Sequence, residues 1–290
     1  MSYSHQNKPK ELIYFTSYEV KYTYRGVAQM ARVLRLGRRG REFESHHPDI
    51  NMKDVRLVPY QKKFDYTYSL GVFPTIELLE SKVEQVVKVV FNSRGKQNSG
   101  VQKLVGLCGK NQIRTEWNDG LIKKLGGGEN TYALGVFLKY FEKIDLEKNH
   151  LVLVNPEDGG NLGTMLRTAL AFGIENVAIV KPAVDVFDPK TVRASMGSIF
   201  KLRIEYFTDF ESYKKVCKNE CYVFMTAGAK NLDDVLFSDR FSLVFGGESA
   251  GLPREFAKYG ESVVIPQSDK VDSLNLAIAA GIAMYTASTK

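Results

Sequence analysis

The chain has 290 residues, 44% apolar and 25% charged, with 40 Lys/Arg against 33 Asp/Glu for a net charge of +7. That length has room for two domains and a sizeable core; no run of 18 apolar residues exists to span a bilayer, and the polar stretch from Met1 to Leu12 does not read as a signal peptide. The expectation is a cytoplasmic globular enzyme without a membrane partner, and the positive charge hints at an anionic partner such as RNA.

The charge is unevenly placed. Residues 1–51 hold nine Lys/Arg and five Asp/Glu, which leaves 31 against 28 for residues 52–290. Within the first block, "GVAQMARVLRLGRRGREFESHHPD" (26–49) carries five arginines without helical or strand periodicity. From Thr75 the pattern alternates. Residues 75–85 read as a helix with Ile76, Leu79 and Val83 on one face, and "VVKVVF" (86–91) reads as a buried strand. A polar loop follows, then a helix near Val101–Cys108, a strand over Ile113–Trp117, a helix over Leu121–Leu125 and a strand over Tyr132–Leu138. The "GGG" at 126–128 reads as the loop before that last strand. Together these segments predict a small three-layer α/β unit within 52–140.

The charged stretch "KYFEKIDLEKNH" (139–150) reads as a linker into a second unit over 150–290. Strand-like, mostly apolar runs then recur at 151–155, 176–180, 201–207, 222–226, 241–246 and 262–266. Burial on both faces is expected of a parallel sheet covered by helices. Helices fit at 162–172, around 189–196, at 209–217 and over Leu274–Ala287.

Three stretches fall at the carboxyl ends of predicted strands, where open α/β sheets build their sites. In "NPEDGGNLGTMLRTALAFG" (155–173), Gly159 and Gly160 permit tight turns, and Asn161 suits the N-cap of a helix that presents Arg167 about two turns later. An ordinary surface arginine is the alternative. In "LVFGGESAGLP" (243–253) an apolar strand runs into a glycine-rich turn with one carboxylate, Glu248. Its G-E-S-A-G matches a hydrolase nucleophile elbow, which needs a histidine later in the chain. All four histidines (His5, His46, His47 and His150) precede Ser249, so that reading fails. In "VVIPQSDKVDSLNLAIAAGIAMY" (263–285), Ser273, Leu274 and Asn275 open a helix whose Ala277, Ala279, Ala280 and Gly281 suit close packing. An ordinary capped core helix would look the same.

Nucleotide motifs are missing: there is no P-loop, and no G-x-G-x-x-G follows the first strand of either series. Cys108, Cys217 and Cys221 form no C-x-x-C pair and have no histidine near them in sequence, so buried thiols and no metal site are expected.

Taken together and in this order, the three stretches resemble the signature of the SpoU (TrmH-like) branch of the SPOUT RNA methyltransferases. The residues are Asn161, Gly163 and Arg167; Gly246 to Gly251 with Glu248; and Ile265, Pro266, Ser273, Leu274 and Asn275. The resemblance covers roughly residues 75–288, and the unit ending in "GGGENTYALGVF" is similar to the family's ribosomal-protein-like N-terminal α/β substrate-binding domain. It implies a C-terminal SPOUT domain with a parallel sheet and a trefoil knot, a rare exception to the unknotted rule. It also implies bound S-adenosylmethionine and a homodimer whose interface helps form the active site. By position, Gly246, Gly247, Ile265 and Leu274 would hold the cofactor. The implied chemistry is methylation of a ribose 2′-hydroxyl, with ribosomal RNA favoured by the N-terminal unit; transfer RNA, or a catalytically silent RNA-binding relative, stays as the alternative. A guanidinium stays protonated, so Arg167 is expected to clamp a phosphate and stabilise developing charge, oriented with the ribose by Asn161, Glu248, Ser273 and Asn275.

The arginine-rich segment lies outside the resemblance. Gly-Val-Ala-Gln can be encoded by GGC GTA GCT CAG and Arg-Glu-Phe-Glu-Ser by CGG GAG TTC GAA TCC, sequences typical of the D and T arms of a tRNA gene. Residues 1–51 are therefore expected to be a non-native or disordered extension, with 26–49 a translated tRNA gene and the native start near Met52; a genuine basic arm is the alternative.

Overall fold

The apolar runs form two sheets in a computed structural model that describes residues 57–289. The expected extension over 1–51 and its segment 26–49 lie outside the described residues.

The first sheet comprises β1 (Tyr66–Leu70), β2 (Val86–Phe91), β3 (Arg114–Trp117) and β4 (Ala133–Leu138), in the order β1-β4-β2-β3. β2 and β3 are parallel, whereas β4 runs antiparallel to both β1 and β2. Its helices are α1 (Val72–Ser81), α2 (Ser99–Lys110) and α3 (Asp119–Lys124). Asparagines start two of them: the Asn98 side chain accepts from the Gly100 and Val101 amides, and that of Asn118 from the Leu121 amide. Alternation along β2 sends Val89 and Phe91 toward Ile76 and Leu79 of α1 and Leu104 of α2.

The second sheet has β5 (His150–Val154), β6 (Asn176–Val180), β7 (Arg203–Phe207), β8 (Glu220–Phe224), β9 (Lys230–Asn231), β10 (Phe241–Phe245) and β11 (Glu261–Val264). Their order is β7-β6-β5-β10-β8-β11-β9, and every neighbouring pair is parallel. Helices α4 (Gly159–Ala171), α5 (Pro189–Ala194), α6 (Phe210–Val216) and α7 (Leu276–Thr289) cover it. Leu151 and Leu153 share a core with Leu162, Met165 and Leu166 of α4 and with Ala277, Ala280 and Met284 of α7. Val152, pointing the other way, joins Phe210 and Tyr213 of α6. The expected α/β fold with a parallel sheet covered on both faces is what forms.

Two expectations need correction. Residues 139–149 are a packed connection rather than a loose linker: Ile144 is buried, the Tyr140 ring meets Phe187 edge-on at 5.2 Å, and Lys139 Nζ donates to Asp185 Oδ2 at 2.9 Å. Leu78 of α1 and Phe137 of β4 belong to the same core cluster as Phe187 and Phe200, so the two sheets share apolar packing. Asp158, not Asn161, caps α4, accepting the Asn161 amide at 2.8 Å, because Gly159 and Gly160 are already helical.

The three cysteines are buried, and one of them, Cys217, lies with its Sγ 3.4 Å from His150 Nδ1. His150 Nε2 lies 2.8 Å from the Asp145 carbonyl, which can only accept, so Nδ1 takes the Tyr213 hydroxyl at 2.7 Å. The Tyr213 hydroxyl is also within 2.6 Å of Ser242 Oγ and 3.2 Å of Cys217 Sγ, while Lys214 reaches Cys221 Sγ. This network fastens α6 to the amino end of the sheet. Among the described residues, no helix is long and apolar enough to cross a membrane.

Candidate active site

The strand order places the carboxyl ends of β5, β10, β8 and β11 side by side. Four loops therefore gather at one edge: 155–158, 246–251, 225–229 and 265–275. Two contain predicted site residues on a turn, and one leads into α4.

Glu248 links them. One of its oxygens accepts the Glu157 amide at 2.9 Å, and the other accepts the Asp158 amide at 3.3 Å and Asn161 Nδ2 at 3.2 Å. Asn161 in turn accepts at Oδ1 from Asn275 Nδ2 at 3.2 Å. Asn275 caps α7, its Oδ1 taking the amides of Ala277 and Ile278. Side chains 114 residues apart in sequence thus meet through one asparagine whose orientation is fixed at both ends.

Two further carboxylates hold the same turn. Glu157 accepts from Asn155 Nδ2 at 3.1 Å and from the Ser249 hydroxyl. Asp158 accepts from Lys190 Nζ at 2.5 Å, and that contact, with the Asn161 amide, holds its carboxyl below the usual carboxylate range.

The motif glycines are explained by backbone approach. A Cβ on Gly246 would lie 2.2 Å from the Gly251 carbonyl carbon, and one on Gly247 would lie 2.4 Å from the Asn155 oxygen. On α4, a Cβ at Gly163 would stand 2.5 Å from the Thr191 oxygen, so only glycine lets α5 come this close. Gly160, Gly163 and Arg167 share that helix face by spacing. Arg167 emerges beyond the glycines, exposed, into a cleft of about 940 Å³ that is also lined by Gly160, Lys190 and Arg193.

Not every predicted residue joins the network. Arg167 makes no hydrogen bond to a described residue; helical geometry sets it about 9 Å along α4 from Asn161 and a third of a turn away. Ser273 is exposed and likewise makes none to a described residue. Ile265 and Leu274 are half-buried at the two ends of the loop leading to α7. Sequence reasoning missed Glu157, Asp158 and the 225–229 loop, where a Cβ on Gly228 would lie 2.3 Å from the Val263 carbonyl carbon. The signal available was a glycine in a short polar turn after the predicted strand 222–226.

Comparison with known proteins follows the same residues. The model of the SpoU rRNA Methylase family matches residues 148–285. An uncharacterized tRNA/rRNA methyltransferase of Archaeoglobus fulgidus is 36% identical over 141 residues, covering 48% of this chain and 63% of that protein. The 23S rRNA (guanosine(2553)-2′-O)-methyltransferase RlmP of Bacillus subtilis is 30% identical over 148 residues, covering 50% and 59%. The chain thus spans less than two thirds of the length of these curated relatives. Among solved structures, the AdoMet-bound rRNA methyltransferase from Sinorhizobium meliloti superposes with a TM-score of 0.65 at 26% identity, over 77% of this chain and 87% of that one.

Proposed function

Because the chain belongs, through residues 148–285, to the SpoU rRNA methylase family, we propose that it transfers a methyl group from S-adenosylmethionine to a ribose 2′-hydroxyl of ribosomal RNA. The observation that carries this reading is the hydrogen-bonded path from Glu248 through Asn161 to Asn275, which ties three separate motifs into one polar edge. S-adenosylmethionine, when bound, supplies an electrophilic methyl on a sulfonium sulfur.

The loops fit such a group. Gly246 and Gly247 keep backbone free of side chain where the 246–251 turn closes, and half-buried Ile265 and Leu274 offer apolar flanks for an adenine. Glu248 holds its turn against α4 and does no proton chemistry. Asn161 and Asn275 fix the polar edge that orients the ribose, and Ser273 adds a free hydroxyl beside it. Arg167, always charged, clamps a phosphate next to the target and stabilises negative charge growing on the attacking oxygen.

Three finer features belong to the same reading. The chain from 246 to 275 forms the trefoil knot, a reading supported by β10 lying between β5 and β8. The unit before residue 140 is the RNA-binding domain. The protein works as a homodimer through α7, whose 14 residues include no charge and whose Ile278, Ile282 and Tyr285 are 56%, 38% and 57% exposed at helical spacing. A helix apolar all round calls for cover on every side. Ile282→Asp is expected to yield a monomer in sedimentation velocity; a dimer of unchanged mass would exclude this surface.

The test of the activity is incorporation of tritiated methyl from S-adenosylmethionine into RNA from cells lacking the protein. Label in ribosomal RNA, at one nucleotide made resistant to alkaline cleavage, is the expected result. Label in transfer RNA alone would move the substrate, and no label in any RNA would leave a silent relative.

A further inference from the structure

Residues 57–289 carry 28 Lys/Arg against 27 Asp/Glu, so this part of the chain is close to neutral. Five of its cations nevertheless share one cleft. Lys123, Lys124, Arg167, Lys190 and Arg193 all line the cleft beside Arg167, and Asp188 is the one carboxylate residue among its lining.

Partner accounting sharpens the imbalance. Lys190 is neutralised by Asp158 at 2.5 Å. Lys124 donates to the Leu57 carbonyl at 3.0 Å, a neutral acceptor that leaves its charge uncompensated. Lys123, Arg167 and Arg193 make no ion pair with a described residue. Four cations therefore face one cleft without a bonded counter-charge.

The helices that carry them are anchored. Lys123 and Lys124 occupy the last turn of α3, where a cation is favoured by the helix dipole, and α3 is anchored by buried Ile122 and Leu125. Arg193 lies in the last turn of α5, which Gly163 allows to touch the backbone of α4. The first sheet's helix and the second sheet's two helices thus aim their charges into a common space. Cations on anchored helices meet an anion with their backbone already ordered, so only side-chain freedom is lost.

We propose that this cleft is a phosphodiester track for single-stranded RNA, in which Lys123, Lys124 and Arg193 hold phosphates flanking the ribose presented to Arg167. The assignment rests on the methyltransferase reading above and extends it to residues outside the three motifs. A duplex displays its 2′-hydroxyls along a wide, shallow groove, whereas a concave cleft suits an unpaired strand whose nucleotide can be splayed into it. A row of unpaired cations on both walls matches a strand carrying one negative charge per nucleotide.

The test uses the full chain, a fluorescein-labelled single-stranded RNA 20-mer, and the triple variant Lys123→Gln/Lys124→Gln/Arg193→Gln. Loss of three phosphate contacts should make the slope of log K against log salt shallower by about 2 and weaken binding by about tenfold or more. The KM for ribosomal RNA should rise in parallel, while the Kd for S-adenosylmethionine, measured by calorimetry, stays within twofold. Lys123→Arg/Lys124→Arg keeps the charge and should keep the affinity, and Lys218→Gln, elsewhere on the surface, should change nothing. An unchanged salt slope in the triple variant overturns the track. Equal competition by polyglutamate overturns RNA as its occupant. Wild-type protein that binds the 20-mer with the expected slope but methylates no RNA would sink the catalytic reading and leave the track standing.

Discussion

Arg167→Ala is expected to slow methyl transfer about 10³-fold while S-adenosylmethionine binds as before. The side chain is exposed on α4, beyond a face of glycines, and no described carboxylate neutralises it. A guanidinium cannot act as a base near neutral pH, so its contribution must be electrostatic and geometric. Removing one preorganised donor from a site where charge develops costs about 10² to 10³ in rate, and loss of the phosphate clamp adds misalignment. Arg167→Lys keeps the charge but not the planar fork and should recover only part of the rate. Single-turnover measurement with saturating RNA separates chemistry from binding. Wild-type turnover in the alanine variant would remove Arg167 from the mechanism.

Gly246→Ala should have the opposite signature. The added methyl would sit 2.2 Å from the Gly251 carbonyl carbon, where no rotamer change can relieve it, because both parties are backbone. The 246–251 turn must open, disturbing the Gly251 amide to Gly247 carbonyl bond of 3.0 Å and the register that delivers Glu248 to Asn161. Overpacking of this kind costs about 1–3 kcal/mol, which predicts roughly 10- to 100-fold weaker S-adenosylmethionine binding by calorimetry together with a lower Tm. Gly126→Ala, in the other unit, is strained by its φ of +94° yet meets nothing within 4 Å, and should leave cofactor binding unchanged. Equal effects of the two alanines on cofactor affinity would show that the turn does not shape the cofactor site.

Legibility of the fold followed the chemistry of each segment. "NVAIV" at 176–180 was readable to the residue, because β-branched and apolar side chains suit a strand buried on both faces. β1 went unread. Its Thr67 and Ser69 are polar yet fully buried, and the reason is distant: Thr67 donates to the Phe187 carbonyl, 120 residues away. A local pattern cannot carry that information. Asp158 and Asn161 are both good caps, and only the helical Gly-Gly between them decides which one serves.

The site divides the same way. The resemblance to the SpoU signature singled out Asn161, Arg167, Glu248 and Asn275, and three of these meet in one network. It could not single out Lys123 or Arg193, ordinary surface residues in sequence, which become notable only when α3 and α5 face each other across a cleft. Nor could it foresee Glu157, which braces the turn from within it.

The apolar packing shared by Leu78, Phe137, Phe187 and Phe200 bears on how a large substrate is chosen. Walls that share a common interior resist moving apart, because opening the cleft would expose that apolar packing. With RNA in the cleft as proposed, accommodation falls largely to the nucleic acid. A target already looped out or bulged enters at little cost, whereas one stacked in a duplex must first be pulled free. Discrimination between sites of identical base sequence thus becomes a matter of how readily each strand gives way.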